Sequence, residues 1–434
     1  MRKLTWSAVC IVLVSLMLWT DSRGLAATKP TEVEDLRREL ERTQTQLKEL
    51  TTQMQELQER LQQVEATKDD GEPVTPPPLE TPSRSAMLQV PLGQRQLLLD
   101  LGVTGDFVAA FAEGEEKTPQ GAGTFPGREN RVFPRVVELG LTGRVDPYAR
   151  ADFYLEFAEE GEIEATDGGF DVGRQFEVGI DEAYVTLLQL PLGLQARGGQ
   201  MRPKFGRLNV VHQHDLPQVD RPDVLVNFFG EEGESEIGAE LSGLLPTPFF
   251  QELSIGVYNG DNQISFGKGE ITDPLVTAYL RNFFELSNAS ALQVGLSGQT
   301  GPNEQGERTV LAGLDLTYKW TPLEQPYTAL TLQGEGLYSH HETKADDKDR
   351  FGAYVFGDYR FSRRWGVGTR VDWSEFPIAS GREWAVAPYL NFWLSDFLRF
   401  RLQYKHTDRN FAGNLDEVFL QTVFTLGHHP PHEF

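Results

Sequence analysis

The sequence of 434 residues holds a single cysteine, Cys10, inside an apolar N-terminal stretch. Past that stretch there is no disulfide and no thiol chemistry. Nor is there a later run apolar for the roughly 18 residues that a membrane-spanning helix needs. Basic charge is scarce: 40 Lys and Arg against 64 Asp and Glu give a formal net charge of −24. That balance excludes the basic footprint of a nucleic-acid binder. Catalytic signatures are missing too, with no Gly-x-Ser-x-Gly elbow, no His-Glu-x-x-His and no phosphate-binding loop. The chain is therefore not read as an enzyme, and no cofactor and no metal site are assigned.

What the chain has instead is a period of two. From Glu383 onward, Trp384, Val386, Pro388, Leu390, Phe392 and Leu394 fall on one face, and Glu383, Tyr389, Asn391 and Ser395 on the other. After a break at Ser395-Asp396, Leu398, Phe400, Leu402 and Tyr404 alternate with Arg399, Arg401, Gln403 and Lys405. Alternation of this kind puts successive side chains on opposite faces of a β-strand. One greasy face and one charged face, repeated back to about Leu97, is the pattern of a transmembrane β-barrel with lipid outside and a polar lumen. The mean hydropathy of −0.38 fits, because lumen-facing residues dilute the apolar ones.

The fold class expected is all-β: an antiparallel transmembrane barrel of about sixteen strands, the first at 97–112 and the last at 416–427, preceded by an α-helical coiled coil. Short turns alternate with longer acidic, Gly-rich loops, as in bacterial barrels. Tyr148, Tyr327, Trp320, Trp365, Trp373, Trp384 and Trp393 lie near strand ends and suit interfacial aromatic girdles. Sixteen strands enclose an aqueous channel rather than a packed core.

Ahead of the barrel the composition changes three times. Residues 1–26 read as a secretory signal peptide: Arg2 and Lys3, an apolar core from Leu4 to Trp19, then Gly24-Leu25-Ala26. Residues 30–66 carry Val33, Leu36, Leu40, Thr43, Leu47, Leu50, Met54, Leu57, Leu61 and Val64 at alternating spacings of three and four, a heptad seam for a periplasmic coiled coil. Residues 67–96 include Pro73, Pro76, Pro77, Pro78 and Pro82 and read as a semi-rigid linker. The barrel is assigned to 97–434.

Alternation turns Arg144, Arg150, Arg197, Arg360, Arg370, Arg399, Arg401 and Lys405 toward the lumen as pore-lining cations. Glu138, Asp152, Glu156, Asp181, Glu240, Glu335, Asp358 and Asp372 read inward as well. Such charges either pair across the wall, or form an anion-selective ladder, or favour cations. The longest connection runs from Gly206 to about Glu234, and its apolar anchors Val224, Leu225, Val226, Phe228 and Phe229 predict that it folds into the lumen. Arg207, His212, His214, Asp215, Asp220 and Arg221 are its candidate constriction residues. His212 and His214, two apart, could share a metal on an extended loop, but exposed loop histidines are commoner. His428, His429 and His432 stand on the tail after the last strand.

Around this loop the sequence resembles the phosphate-selective porin O and P family. The resemblance rests on Gly198-Gly199-Gln200-Met201-Arg202-Pro203-Lys204-Phe205-Gly206, on Asp220-Arg221-Pro222, and on Phe229-Gly230-Glu231-Glu232-Gly233. It covers roughly residues 90–434. It implies an outer-membrane homotrimer of sixteen-stranded barrels with the third loop folded inward, passing small solutes or ions, anions such as phosphate among them. The lysine cluster that the family carries on this loop has no counterpart; the loop's cations here are Arg207 and Arg221. The partners expected are outer-membrane lipid, the barrel-assembly machinery (reading Phe424 or Phe434 as its C-terminal signal) and peptidoglycan within reach of the coil, with no nucleic acid. The alternative reading is a structural anchor whose coiled coil tethers envelope layers.

Overall fold

The computed structural model describes residues 87–92, 95–114, 130–166, 169–262, 264–267, 269–325 and 327–427. The expected signal peptide, coiled coil and prolines, and His428, His429, His432 and Phe434, lie outside these residues.

Segments with period-two alternation become strands. They are β1 (Met87–Leu92), β2 (Arg95–Gly114), β3 (Val132–Arg144), β4 (Ala149–Thr166), β5 (Gly169–Leu187) and β6 (Gln195–Met201). There follow β7 (Glu236–Leu244), β8 (Phe250–Tyr258), β9 (Leu275–Ser287), β10 (Ser290–Pro302), β11 (Arg308–Trp320) and β12 (Ala329–His341). The last are β13 (Lys348–Arg360), β14 (Trp365–Glu375), β15 (Arg382–Ser395), β16 (Leu398–Arg409) and β17 (Leu415–Gly427). From β2 to β17 each strand pairs antiparallel with the next, and β17 returns to β2 in a register running from Leu415↔Gly114 to Gly427↔Gly102. Sixteen strands therefore close on themselves, which leaves no unpaired edge in the ring. β1 pairs with the start of β2, Met87 opposite Asp100, so the end of the stretch read as linker is itself a strand.

The two faces are reversed relative to a soluble protein. On β11, Thr309, Asp315 and Thr317 are fully buried, while Val310 and Leu314 are 39% and 46% exposed. Lipid is the only solvent in which that exposed apolar band is favourable. Aromatic residues gather at both ends of it. Tyr338, Phe351, Trp373, Trp384 and Tyr404 stand exposed toward the long-loop end, with Trp373 and Trp384 directly paired across β14 and β15. Tyr148, Phe249, Phe250, Tyr327, Tyr359, Phe361 and Phe397 stand exposed toward the short-turn end. Trp393 does not join either belt. It shares the inward parity of Asn391 and lies under the Arg360 guanidinium, 4.5 Å from the ring centroid.

Of four register shifts among the described strands, two lie on the wall that faces the loop. On β3 the register steps from Asp106↔Val136 to Phe107↔Pro134, leaving Arg135 as the extra residue. On β5 it steps from Tyr154↔Glu182 to Leu155↔Ile180, leaving Asp181 as the extra residue. A bulge re-aims one side chain, and here it buries Arg135 beside Asp106, and both Asp181 and Glu182, on the inner side.

Leu314→Arg, at the middle of β11, should destabilise the folded barrel in lipid by about 2–4 kcal/mol, and Leu426→Arg, at the turn end of β17, by about 0–1 kcal/mol, as expected from depth in the bilayer. Denaturant titration of folding into lipid vesicles measures both.

Candidate functional site

The site begins where β6 stops. It ends at Met201, earlier than the alternation suggests, because Pro203 has no N–H to continue the ladder. Gly206 then takes φ 63°, a left-handed conformation that turns the chain inward. Any side chain here would also meet Glu335: a Cβ would sit 2.6 Å from its Oε2. The turn aims two successive backbone donors at Glu335 Oε1, Arg207 N at 2.6 Å and Leu208 N at 2.8 Å.

The loop packs inside the barrel with an apolar core of its own. Phe205, Leu208, Val211, Leu216, Val224, Leu225, Phe228 and Phe229 are buried against Tyr258 of β8, Leu275 of β9, Leu311 of β11, Leu337 of β12, and Tyr354 and Phe356 of β13. Four of the five expected anchors are thus buried; Val226 is half-buried. A short helix, α1 (Asp223–Phe229), starts after Pro222 and presses Val224 onto Gly352, where a Cβ would lie 2.4 Å from the valine. Val219 reaches another small core, formed by Val108, Ala110, Phe133 and Phe419.

Buried charges hold the loop to the far wall. Arg370 of β14 donates from Nη2 to Asp220 Oδ2 at 2.8 Å and from Nη1 to its backbone oxygen at 2.8 Å. Lys405 of β16 donates to the same carboxylate oxygen at 2.8 Å, and also to Asp223. Gln403 donates to Asp220 Oδ1 at 2.5 Å and accepts from Val219 N at 2.8 Å. Burial works against the Asp220 carboxylate, but Arg370 and Lys405 outweigh it and hold its pKa far below the usual range. Arg221 folds the loop on itself, donating to the backbone oxygens of Leu208 and Val211 at 2.8 and 3.1 Å. Burial, and then nearby Arg202, push its pKa down to about 9. Further round the ring, Arg135 of β3 donates to Val219 O and pairs with Asp106, and Arg202 pairs with Asp181 at 2.6 Å.

The histidines are not exposed, contrary to the commoner expectation. His212 Nδ1 lies 2.7 Å from Glu138 Oε2 and Nε2 lies 3.0 Å from Glu182 Oε2. Burial opposes its charged form, yet the hydrogen bonds to Glu138 and Glu182 prevail and hold its pKa well above the ordinary value. His214 is buried beside it, Nε2 3.0 Å from Asp215 Oδ2.

The eight strand cations fall into separate settings. Arg150 pairs with Asp152 at 2.5 Å, and Arg197 with Glu240 at 3.0 Å. Arg144 is exposed at the turn end of β3, opposite Arg150. Arg360 covers Trp393, and Arg370 and Lys405 hold the loop. Arg399 donates to His214 O at 2.6 Å, and Arg401 is clasped by Asn391 at 2.7 Å and Gln421 at 3.0 Å. Arg399 and Arg401 come together with Arg207 and Lys319 around a cavity of about 280 Å³ on the short-turn side of the loop, with Asp215, Asp358 and Trp393 also in its wall. Nε of Arg399 is buried and makes no hydrogen bond among the described residues. The sequence reading leaves Arg135, Glu182 and Lys319 unnamed, and names Arg202 in the family motif and Gln403 on the charged face of β16 without a site role; alternation marks Lys319, and the bulges hide Arg135 and Glu182.

No protein-family profile matches the sequence. The chain is 29% identical over 346 residues to an uncharacterized protein of Aquifex aeolicus (strain VF5), covering 68% of this chain and 69% of that one. Its structure is similar to the outer membrane channel DcaP of Acinetobacter baumannii, at TM-score 0.52 and 11% identity over 76% of this chain and 97% of that chain. It is also similar to Salmonella typhi OmpF, solved in complex with daunomycin, at TM-score 0.51 and 9% identity over 76% of this chain and 98% of that chain. The fold is that of a porin-like outer-membrane β-barrel.

Asp220→Asn should loosen the loop by about 3 kcal/mol, the low end for breaking a buried ion pair because Asp372 and Asp223 remain on Arg370 and Lys405. Because the Asp220 pKa is depressed on folding, its stabilisation is present above the unfolded value of about 3.9 and fades as pH falls through the lower folded value. The difference in loop-amide hydrogen exchange between wild type and variant should therefore stay constant from about pH 7 to 5 and shrink below about pH 4.

Proposed function

We propose that the chain is an outer-membrane porin, and not an enzyme, that passes small anions by passive diffusion through the water left between the inward third loop and the barrel wall. The observation that carries this reading is the cavity where Arg207, Lys319, Arg399 and Arg401 converge against only Asp215 and Asp358. A narrow, low-dielectric passage with four cations to two carboxylates favours an anion over a cation, although the chain as a whole is acidic. Here the loop sets the size limit and the cavity sets the sign of charge. Phosphate suits the cavity chemically, since guanidinium groups bind its oxygens through paired donors. That agrees with the resemblance to phosphate-selective porins, even without lysines on the loop. A homotrimer in the outer membrane, with the coiled coil in the periplasm beneath it, completes the proposal.

The test is single-channel recording of the purified, heat-modifiable protein in a planar bilayer under a potassium chloride gradient. Anion-selective steps arriving in threes support the reading. Arg207→Gln with Lys319→Gln should move the reversal potential toward cation selectivity, and added phosphate should reduce the chloride current less in that variant than in wild type. A folded barrel that does not conduct would remove the porin reading and leave the tether, with the coiled coil as its working part.

A further inference from the structure

The fold brings the two histidines of this loop to a third potential metal ligand. Glu138 on β3 meets His212 and His214, all three buried, with their donor atoms within 4.8 Å of one another. His212 Nδ1 is 2.7 Å and His214 Nδ1 3.8 Å from the same oxygen, Glu138 Oε2. The two rings stand nearly perpendicular, at 84° and 5.7 Å between centroids.

The second, independent observation lies on the outer side of each ring. His212 Nε2 is held by Glu182 at 3.0 Å and His214 Nε2 by Asp215 at 3.0 Å. A metal-bound imidazole commonly gives its other N–H to a carboxylate, which fixes the tautomer and raises the basicity of the ligating nitrogen. Here two imidazoles share that arrangement and direct their remaining nitrogens at one carboxylate. Four carboxylates, Glu138, Asp181, Glu182 and Asp215, surround the pair, against three cations: Arg202, bound to Asp181, Arg399, which donates to His214 O, and Arg135, which reaches Gln213 O. The excess of carboxylate over cation favours a divalent ion in this buried place.

We propose that Glu138, His212 and His214 bind one divalent transition ion of the zinc type, which clamps the third loop to β3. Two imidazoles and one carboxylate suit such an ion, and tetrahedral bonds near 2.0–2.1 Å leave a fourth position for water. Seating it requires Glu138 and His212 to part by about half an ångström, with the ion replacing the proton between them. The clamp adds to the hold of Asp220 on the far wall, and it goes beyond the channel reading: it concerns what fixes the loop, whichever solute passes.

The experiment uses the full chain, folded in detergent, stripped with chelator and titrated with cobalt(II), then competed with zinc(II). To remove the tail as a source of binding, it is done on wild type and on a variant carrying His428→Gln, His429→Gln and His432→Gln. The expected result is one ion per chain in both proteins, with the visible absorption of a tetrahedral cobalt site, and protection of the bond after Arg207 from trypsin on metal addition. Glu182→Gln should weaken affinity by about 10–100-fold, as for a lost outer carboxylate. His214→Gln should abolish the tetrahedral spectrum while heat-modifiability shows the barrel still folded. Binding that disappears with the tail histidines, or an unchanged spectrum in His214→Gln, overturns the proposal. So does the absence of any cobalt spectrum in folded wild type. None of these readouts depends on conductance, so a failed clamp and a failed porin are distinguishable.

Discussion

The arrangement of the barrel interior depends on one buried carboxylate. Asp220 gives up water and gains Arg370, Lys405 and Gln403, each from a strand on the opposite side of the ring from β6 and β7, where the loop starts and ends. A charge removed from water is tolerable only with partners of good geometry. Asp220 finds them only if the loop crosses the lumen, so the ion network and the path of the loop are one constraint. Arg221, next in the chain, enforces the same path from within by tying the backbone at Leu208 and Val211.

That constraint divides the lumen. The apolar side of the loop rests on β8 to β13, and its polar side faces the arc that runs from β14 through β17 and β2 to β5. A sixteen-stranded ring by itself is wide enough for an aqueous channel. With the loop core in place, the cavity of about 280 Å³ beside it is lined by wall charges. The sign of a few side chains then matters more than the charge of the whole chain. A formal charge of −24 and a cationic cavity are compatible: the exposed acids act through water and are screened within about 10 Å at ordinary salt, and buried ones such as Asp181 and Asp220 are paired with their own cations.

Much of this was legible in the sequence, for physical reasons that can be located. The sixteen strands follow from period-two alternation, which lipid and lumen impose on every strand at once; β16 shows it from Leu398 to Lys405. The inward loop follows from Val224, Leu225, Phe228 and Phe229, whose burial could be satisfied nowhere else. The pairing of the charges was not legible. Asp220 meets Lys405 from 185 positions away, and no local pattern encodes such a contact. Nor was the count of inward residues complete, because a bulge adds one side chain where alternation allows none, as at Arg135 and Asp181. Trp393 misled for a related reason: a tryptophan near a strand end suits the membrane interface, but its parity turns it inward, beneath Arg360.

The histidine cluster and the cationic cavity are not independent. Asp215 binds His214 Nε2 and also stands in the cavity wall, and Arg399, another wall residue, donates to His214 O. Positive charge added at the histidines draws on Asp215, and less of its negative field then reaches the cavity. On the proposed reading of the cavity as an anion passage, an ion held at the histidines would strengthen its preference for anions, and an anion in the cavity would in turn strengthen the hold on that ion. Linkage makes the two effects equal in free energy. A barrel of fixed strands would thereby tune its passage through a loop that is attached, rather than rebuilt.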